Sequence, residues 1–174
     1  MKCLIVVDYQ VDFVKGKLGF DKAAMLEDKI AQKISEYRAS GGEIIFTFDT
    51  HYENYMQTLE GRNLPVAHCI EGTEGHMLYG KVAAAVTAAD KCIYKSAFGS
   101  DELMDYLRSK HYESIELVGI VSNICVISNA VIAKTAQPEA SVIVDASCTA
   151  SNDEKLHNAA LDIMQGLHIN VINR

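Results

Sequence analysis

The sequence lacks any apolar run of about 18 residues, the length that marks a candidate membrane-spanning helix. It also has few basic residues, because 16 lysines and arginines stand against 23 acidic residues and give a net charge of −7. Nucleic acids and anionic membranes bind basic surfaces, so neither is expected as a partner. The opening segment MKCLIVVDYQVDF reaches an acidic residue too early for a secretory signal, and we therefore expect a cytoplasmic location.

The cysteines are scattered and include no CxxC motif, which argues against a zinc ribbon or a thioredoxin-like site. Their odd number does not suit a disulfide framework, so we expect reduced thiols, most of them buried as small apolar residues. No GxGxxG motif follows the first apolar run, which argues against dinucleotide binding. The five cysteines are Cys3, Cys69, Cys92, Cys125 and Cys148.

Prolines are rare, with only Pro65 and Pro138 present, and no repeat, linker or low-complexity segment divides the chain. We therefore expect a single domain over residues 1–174. Six short apolar runs rich in valine and isoleucine are typical of strands buried on both faces. They are KCLIVVD at 2–8, EIIFTFD at 43–49, KCIYK at 91–95, SIELVGI at 114–120, ASVIVD at 140–145 and HINVIN at 168–173.

Amphipathic segments with helical spacing of their apolar residues alternate with these strands. The segment 21–40 stops at a pair of glycines, and the segment 100–110 begins with a serine cap and acids and ends in basic residues, as the helix dipole favours. Further helices are predicted over 123–136 and 152–166. This alternation predicts an α/β protein with a three-layer α/β/α, Rossmann-like fold and a mostly parallel six-stranded sheet.

Residues capable of chemistry follow the ends of several predicted strands. Asp8 follows the first strand, Asp49 the second and Lys95 the third, while Cys125 opens the helix after the fourth. In parallel sheets, ligands bind beyond the carboxyl ends of the strands, so these side chains are expected on one rim. Each alone would more often be structural, with Cys125 packing, Asp8 capping a turn and Lys95 solvated.

The position of Cys125 at a helix start favours a reactive thiol. The positive end of the helix dipole lowers the pKa of such a thiol, and the free N–H groups of the first turn could bind an oxyanion. Asp8 could take the thiol proton, and Lys95 could stabilise the thiolate and orient Asp8. The three residues together therefore indicate nucleophilic catalysis.

Three segments resemble, in this order, the cysteine hydrolases of the isochorismatase-like superfamily: LIVVDYQVDF at 4–13, KSAF at 95–98 and GIVSNICV at 119–126. The resemblance covers essentially the whole chain and implies a catalytic triad of Asp8, Lys95 and Cys125. It also implies a cis peptide bond between Ile120 and Val121, with the N–H groups of Val121 and Cys125 forming an oxyanion hole. Isochorismatases proper lack the nucleophilic cysteine, so Cys125 indicates the branch that hydrolyses amides.

A long polar segment, FDTHYENYMQTLEGRNLPVAHC at 48–69, follows the second strand. It contains Asp49, His51, Glu60 and His68, whose side chains are ligands for first-row metal ions. Asp49 and His51 occupy alternate positions past a strand end, so both can face one side. Two imidazoles and two carboxylates suit Zn²⁺, Fe²⁺ or Mn²⁺, and a metal could order a segment without a core. Such residues in loops are more often solvated or capping.

The DTH of residues 49–51 and the HCIEGTEG of residues 68–75 resemble the metal site of the nicotinamidases. By that resemblance Asp49, His51, Glu60 and His68 hold a divalent metal, with zinc favoured over iron or manganese. The metal would bind the pyridine nitrogen of a small amide substrate. The implied reaction converts nicotinamide and water to nicotinate and ammonia, a step in NAD salvage. Family members are often dimers or tetramers, so a homo-oligomer is also implied.

The sequence departs from the nicotinamidase pattern around the expected substrate pocket. Ser122 and Asn123 replace the usual Thr-Asp pair before the cysteine, and the aromatic residue often found just before the metal-binding histidine is missing ahead of His68. Phe13 and Phe98 are then the candidate walls for a flat ring, although either could be ordinary core.

Three other functions fit parts of this pattern. The same triad could hydrolyse another small amide or ureido compound, such as an N-carbamoyl substrate, with or without a metal. Cys125 could instead serve a thiol redox protein, which would need a resolving cysteine. A non-enzymatic binding module with a structural metal would leave the positions of Asp8 and Lys95 unexplained.

Overall fold

The computed structural model describes all 174 residues and contains one six-stranded sheet. Its strands are β1 (Lys2–Val7), β2 (Glu43–Asp49), β3 (Lys91–Lys95), β4 (Ser114–Ile120), β5 (Ser141–Ala150) and β6 (Asn170–Ile172). All neighbours pair in parallel, in the order β3-β2-β1-β4-β5-β6. The predicted α/β fold is confirmed, and the sheet is parallel throughout.

Eight α-helices connect or flank the strands. They are α1 (Val11–Val14), α2 (Asp21–Ala24), α3 (Glu27–Ala39), α4 (Leu59–Asn63), α5 (Gly80–Ala84), α6 (Asp101–Arg108), α7 (Ile127–Ala136) and α8 (Glu154–Gly166). Short 3-10 turns cover Tyr55–Gln57 and Glu74–His76, and a π-helical turn covers Ser122–Val126. None of these helices combines the length and the apolar character needed to span a membrane.

The segment 21–40, predicted as one helix, forms two helices instead. The hydroxyl of Tyr9 donates a 2.6 Å hydrogen bond to the carbonyl oxygen of Ala23, and that oxygen also accepts from the N–H of Leu26. A continuous α-helix would use the same carbonyl for the N–H of Glu27. The hydrogen bond from the buried Tyr9 therefore lies at the break between α2 and α3, where the sequence contains no glycine or proline.

Strand β5 is longer than predicted, because the sequence analysis ended it at Asp145 and the structure continues it to Ala150. The register against β4 shifts between Leu117 and Gly119, which is the sign of a bulge. Past the shift, Gly119 pairs with Thr149 and Ile120 with Ala150. The second half of the strand was not predicted from the sequence, because its polar residues interrupt the apolar run.

Two apolar layers enclose the sheet, and β1 contributes to both because its successive side chains point to opposite faces. Cys3, Ile5 and Val7 pack with residues of α6, α7 and α8 on one face. Leu4 and Val6 pack with residues of α2, α3 and α5 on the other face. Burying such aliphatic side chains contributes about 1.5–3 kcal/mol each, so the sheet is a rigid platform for whatever lies at its rim.

The strand order reverses direction at β1. The chain adds β2 and β3 on one side of β1 and then crosses to add β4, β5 and β6 on the other side. In open parallel sheets, the crevice beyond the carboxyl ends at such a switch point binds ligands. The crevice here lies past the ends of β1 and β4, where Asp8 and the turn Ser122–Val126 follow.

Candidate active site and metal centre

Asp8, Lys95 and Cys125 come together at this crevice. The ammonium nitrogen of Lys95 lies 2.6 Å from Oδ2 of Asp8 and 3.7 Å from Sγ of Cys125. All three residues are buried, with Asp8 completely so. The structure thus places the three predicted residues in one contact group, with Lys95 between the acid and the thiol.

Asp8 is held by the neighbouring strand. Its backbone has a φ of +46°, a left-handed conformation that is uncommon for residues other than glycine. The N–H of Asp8 donates to the carbonyl oxygen of Thr47, and the Thr47 hydroxyl donates a 2.6 Å hydrogen bond to Oδ1 of Asp8. These bonds leave Oδ2 to face Lys95. Thr47 is a supporting residue that the sequence analysis missed.

Gly119 allows the end of β4 to come close to β1. Its φ is +111°, and a Cβ atom at this position would lie 2.1 Å from the carbonyl oxygen of Val7. Any other residue would therefore clash with the β1 backbone. The next peptide bond, between Ile120 and Val121, is cis, as the family resemblance implied. The chain then enters the turn that carries Cys125.

The surroundings of Cys125 differ from the prediction in one respect. A helix-start position predicted a lowered thiol pKa in a regular first helical turn, but Cys125 lies in the π-helical turn that precedes α7. Burial raises the pKa of the Cys125 thiol well above its ordinary value, the charge of Asp8 adds to that rise, and Lys95 opposes it. The resting group is therefore a thiol, and forming the thiolate requires a nearby proton acceptor.

The charges of Asp8 and Lys95 are set by burial and by each other. Burial raises the pKa of the Asp8 carboxyl, and Lys95 counteracts part of that rise. For Lys95, burial opposes the charged form, but Asp8, Cys125 and Asp49 together outweigh it and raise the pKa of the amine above its usual value. Lys95 is thus a fixed positive charge, while Asp8 can both bind and release a proton.

The Cys125 turn is tied to the loop after β3 by Asn129. Its side-chain nitrogen donates to the carbonyl oxygen of Cys125 at 2.8 Å and to that of Phe98 at 3.0 Å. Its side-chain oxygen accepts from the N–H of Ser100. Asn129 is completely buried, and its role was not predicted from the sequence because two of its partners, Phe98 and Ser100, are distant in the chain.

The four predicted metal ligands also come together. One ligand atom each of Asp49, His51, Glu60 and His68 lies within 4.8 Å of the others. Oδ2 of Asp49 is 3.0 Å from Nε2 of His51 and 3.3 Å from Nε2 of His68. Oε1 of Glu60 is 3.5 Å and 3.8 Å from the same two nitrogens.

This group fits a divalent metal. Bonds of about 2.2 Å put ligands on opposite sides of an ion about 4.4 Å apart, and the four separations between carboxylate and imidazole atoms fall below that length. Burial and the charge of Asp49 raise the pKa of Glu60, a repulsion that a cation between the two carboxylates would remove. Nitrogen and carboxylate ligands together suit zinc, iron or manganese.

The imidazole of His68 is oriented for metal binding. Its Nδ1 lies 2.7 Å from the carbonyl oxygen of Val66, which can only accept, so Nδ1 carries the hydrogen and Nε2 is free to face Asp49. The rings of Phe13 and Tyr55 pack against it at centroid distances of 5.3 Å and 5.1 Å. The N–H of Cys69 donates to Oδ2 of Asp12, which fixes the loop on the other side of His68.

Gln10 fixes the backbone of Asp49 and is another residue that the sequence analysis missed. Its side-chain nitrogen donates to the carbonyl oxygen of Asp49 at 2.9 Å, and its side-chain oxygen accepts from the N–H of Asp49 at 2.8 Å. The same nitrogen donates to the carbonyl oxygen of His76. Asp49 also lies near the triad, because its Oδ1 is 3.6 Å from Nζ of Lys95.

A cavity of about 230 Å³ joins the two groups. Cys125 and Val121 line it together with the candidate metal ligands Asp49, Glu60 and His68. Phe13 and Phe98, the predicted wall residues, also line it. The remaining lining residues were not predicted and are Leu18, Phe20, Leu64, Ile124 and Asn152. The cavity is mainly apolar, with a thiol and a metal-ligand group as its reactive elements.

Comparison with known proteins gives related sequences and folds. The chain is 34% identical to an uncharacterized isochorismatase family protein of Bacillus subtilis over 142 residues, covering 75% of this chain and 76% of that one. It is 27% identical to a nicotinamidase/pyrazinamidase of Mycobacterium tuberculosis, covering 99% and 98% of the two chains. The crystal structure of a pyrazinamidase/nicotinamidase of Streptococcus mutans has 28% identity and a TM-score of 0.88, covering 99% and 100%.

The family assignment rests on the whole chain. The isochorismatase domain family matches residues 2–174, which include every strand and helix described above. The relatives agree with this match in both sequence and fold. The chain belongs to the isochorismatase family.

Proposed function

We propose that this protein is a metal-dependent cysteine amidohydrolase that converts nicotinamide and water to nicotinate and ammonia. The observation that carries the proposal is the single cavity lined both by Cys125 and by three candidate metal ligands. A flat aromatic ring with one metal-binding nitrogen and one carboxamide matches these two reactive groups and the apolar walls. The cavity, at about 230 Å³, suits a ligand smaller than a drug-sized molecule.

Relatives support the choice of substrate. The proteins of Mycobacterium tuberculosis and Streptococcus mutans, both similar over nearly the whole chain, are named nicotinamidase and pyrazinamidase. Both names denote hydrolysis of an aromatic carboxamide. We further propose that the protein acts in the cytoplasm, in NAD salvage, where its five free cysteines suit a reducing compartment.

The metal would be held by four side chains, namely Asp49, His51, Glu60 and His68. When bound, it would coordinate the ring nitrogen and so orient the carboxamide toward the thiol. The chain prepares this site in advance, because Gln10 fixes the Asp49 backbone and the Val66 carbonyl fixes the tautomer of His68.

Acylation begins with the proton of the Cys125 thiol. Asp8 takes that proton as the sulfur attacks the carboxamide carbon, so negative charge moves from the carboxylate to the sulfur. Lys95 lies 2.6 Å from the carboxylate and 3.7 Å from the sulfur, and its positive charge therefore stabilises both the starting and the transferred charge. This is why a thiol with a raised pKa can still act as a nucleophile.

The carbonyl oxygen becomes an oxyanion as the sulfur–carbon bond forms. We assign its stabilisation to the backbone N–H groups of Val121 and Cys125. The N–H of Val121 donates to no backbone carbonyl, so it is free for this purpose. When the tetrahedral species collapses, the carbon–nitrogen bond breaks, the nitrogen takes the proton from Asp8, and ammonia leaves a thioester on Cys125.

Hydrolysis of the thioester uses the same three residues, with water as the nucleophile and Cys125 as the leaving group. Asp8 takes a proton from water as the water oxygen attacks the thioester carbonyl. The carbon–sulfur bond then breaks, nicotinate leaves, and the proton returns from Asp8 to the sulfur of Cys125. Lys95 again compensates the negative charge in each state.

The test is ammonia release from nicotinamide and from benzamide, with Zn²⁺, Fe²⁺ or Mn²⁺ added in turn. Benzamide has the same shape but no ring nitrogen, so its kcat/KM should be lower by at least about 100-fold. No ammonia from nicotinamide with any of these metals would overturn the proposal. Metal-independent hydrolysis of an N-carbamoyl compound would instead support the other amidase reaction.

A further inference from the structure

His157 contacts the Cys125 turn from α8. Its Nδ1 lies 2.8 Å from the hydroxyl oxygen of Ser122, the first residue of that turn. Ser122 is completely buried, and this is its only side-chain hydrogen bond. A buried hydroxyl that loses its partner is destabilised, so the contact fixes both side chains.

His157 belongs to a firmly anchored helix. Asp153 caps the start of α8 by accepting from the N–H of Leu156, and Ala160, Leu161 and Met164 bury the helix against the sheet. Burial lowers the pKa of His157, so its imidazole is neutral at neutral pH and can pair with a hydroxyl. The hydrogen bond therefore connects a rigid element to the turn.

The two halves of the turn have separate supports. Its later half is held from α7, where Asn129 donates to the carbonyl oxygen of Cys125 and Ser128 donates to that of Ile124. Its first residue, Ser122, is held from α8 through His157. Val121 directly precedes Ser122, so loss of the α8 support should displace Val121 more than Cys125.

We propose that His157 is a positioning residue that, through Ser122, holds the Val121 N–H where it binds the oxyanion. The inference rests on the covalent mechanism of the proposed function. It assigns His157 no contact with substrate and no proton transfer. Its effect should therefore be confined to steps in which an oxyanion forms.

Two reactions of Cys125 separate this role from a general structural one. Acylation by 4-nitrophenyl acetate forms an oxyanion, and alkylation by iodoacetamide does not. His157→Ala should slow acylation about 10- to 100-fold, which is less than the loss of a whole oxyanion donor, and should leave alkylation within about twofold of the wild-type rate. With nicotinamide, kcat should fall while KM stays unchanged.

Four further variants make the test specific. Ser122→Ala should match His157→Ala, and the double variant should be no slower than either, because both remove one interaction. His157→Asn keeps a hydrogen-bonding atom near the Nδ1 position and should restore part of the rate. His111→Ala, a substitution of an exposed histidine, should behave like the wild type.

If the His157→Ala variant is acylated at the wild-type rate, the inference is wrong. It is also wrong if the folded variant loses the same factor in its acylation rate and in its alkylation rate. If His157→Ala fails to fold, Ser122→Ala and His157→Asn decide by the same comparison. A wild-type protein that releases no ammonia from nicotinamide would overturn the proposed substrate. The acylation and alkylation comparison would still decide the role of His157, since neither reagent is nicotinamide.

Discussion

The ammonium nitrogen of Lys95 lies 2.6 Å from Oδ2 of Asp8, and both side chains are almost completely buried. Leaving one buried charge without its partner is strongly unfavourable, so each residue favours the charged form of the other. The arrangement places a permanent positive charge beside Sγ of Cys125. A triad built in this way needs no histidine, because the acid and the thiol exchange a proton within the field of the lysine.

Lys95→Met should therefore impair both activity and stability. Without the ammonium group, Asp8 is a buried acid with no compensating charge, and breaking a buried pair costs about 3–5 kcal/mol. The kcat for nicotinamide should fall at least about 100-fold, because the developing negative charge loses its fixed partner. Urea denaturation and steady-state kinetics measure the two effects. Lys91→Met in the same strand should change neither by a comparable amount, since Lys91 pairs with Glu102 near the surface.

Cys125→Ala should abolish turnover while the fold persists. The covalent route has no substitute nucleophile, so kcat should fall by at least about 10⁴-fold. Stability should change by about 1 kcal/mol or less. Cys148→Ala, at another buried cysteine in β5, is the matched control and should retain activity. Residual turnover above a few per cent in Cys125→Ala would contradict a thioester intermediate, which mass spectrometry of the acid-quenched wild type should detect.

Removal of one metal ligand should abolish metal binding without abolishing the reactivity of the Cys125 thiol. His51→Ala and His68→Ala should each lose bound metal, and kcat/KM for nicotinamide should fall at least about 100-fold because the ring loses its orientation. Cys125 should still react with iodoacetamide, since its contacts with Lys95 and Asn129 remain. Metal content by mass spectrometry and alkylation rates measure the two properties.

His76→Ala is the matched control for the metal variants. His76 is hydrogen-bonded to Thr50 at 2.9 Å but lies outside the ligand group of Asp49, His51, Glu60 and His68. The His76→Ala variant should keep its bound metal and most of its activity. Full activity in the metal-free wild type would exclude a metal-oriented substrate and support the hydrolysis of another amide.

The strands could be predicted from sequence because parallel strands are buried on both faces and read as continuous apolar runs. The same rule placed Asp8, Asp49 and Lys95 at one rim, since each follows such a run. The rule failed for the second half of β5, where the bulge against Leu117 and Gly119 lets polar residues continue the strand. A bulge depends on the neighbouring strand, which local sequence does not describe.

The supporting residues of the site could not be predicted for a related reason. Gln10 and Asn129 donate to the backbone carbonyls of Asp49 and Phe98, and His157 pairs with the Ser122 hydroxyl, all far away in the chain. Their residue types carry no signal, because amides and imidazoles are common on surfaces. The pKa of Cys125 was predicted in the wrong direction because the helix dipole is a local feature, whereas burial and Asp8 come from the assembled fold.

Away from the site, Lys33 joins two acidic residues of the sheet, and its loss should destabilise the fold in a pH-dependent way. Its nitrogen lies 2.5 Å from Oε1 of Glu116 and 2.7 Å from Oδ2 of Asp145. Burial opposes ionisation of Asp145, but the hydrogen bond and charge of Lys33, together with hydrogen bonds from Ser147 and Asn173, outweigh it, and the pKa of Asp145 is lowered. This contribution to stability is present above the unfolded pKa of about 3.9 and is lost as pH falls through the folded pKa.

Lys33→Met should lower the free energy of unfolding by about 3–5 kcal/mol at pH 7, because Asp145 then remains buried without its cation. The pKa of Asp145 should be higher in the variant than in the wild type, since burial is then opposed only by the hydrogen bonds from Ser147 and Asn173. The difference between wild type and variant should therefore shrink as the pH falls from the unfolded pKa of about 3.9 toward the lowered pKa of Asp145 in the folded wild type, below which the carboxyl is protonated in both. Urea denaturation between pH 3 and pH 7 measures this difference. Lys29→Met, at an exposed position of the same helix, should show no such loss of stability. A difference in unfolding free energy between wild type and Lys33→Met that does not change with pH would contradict the ionic explanation.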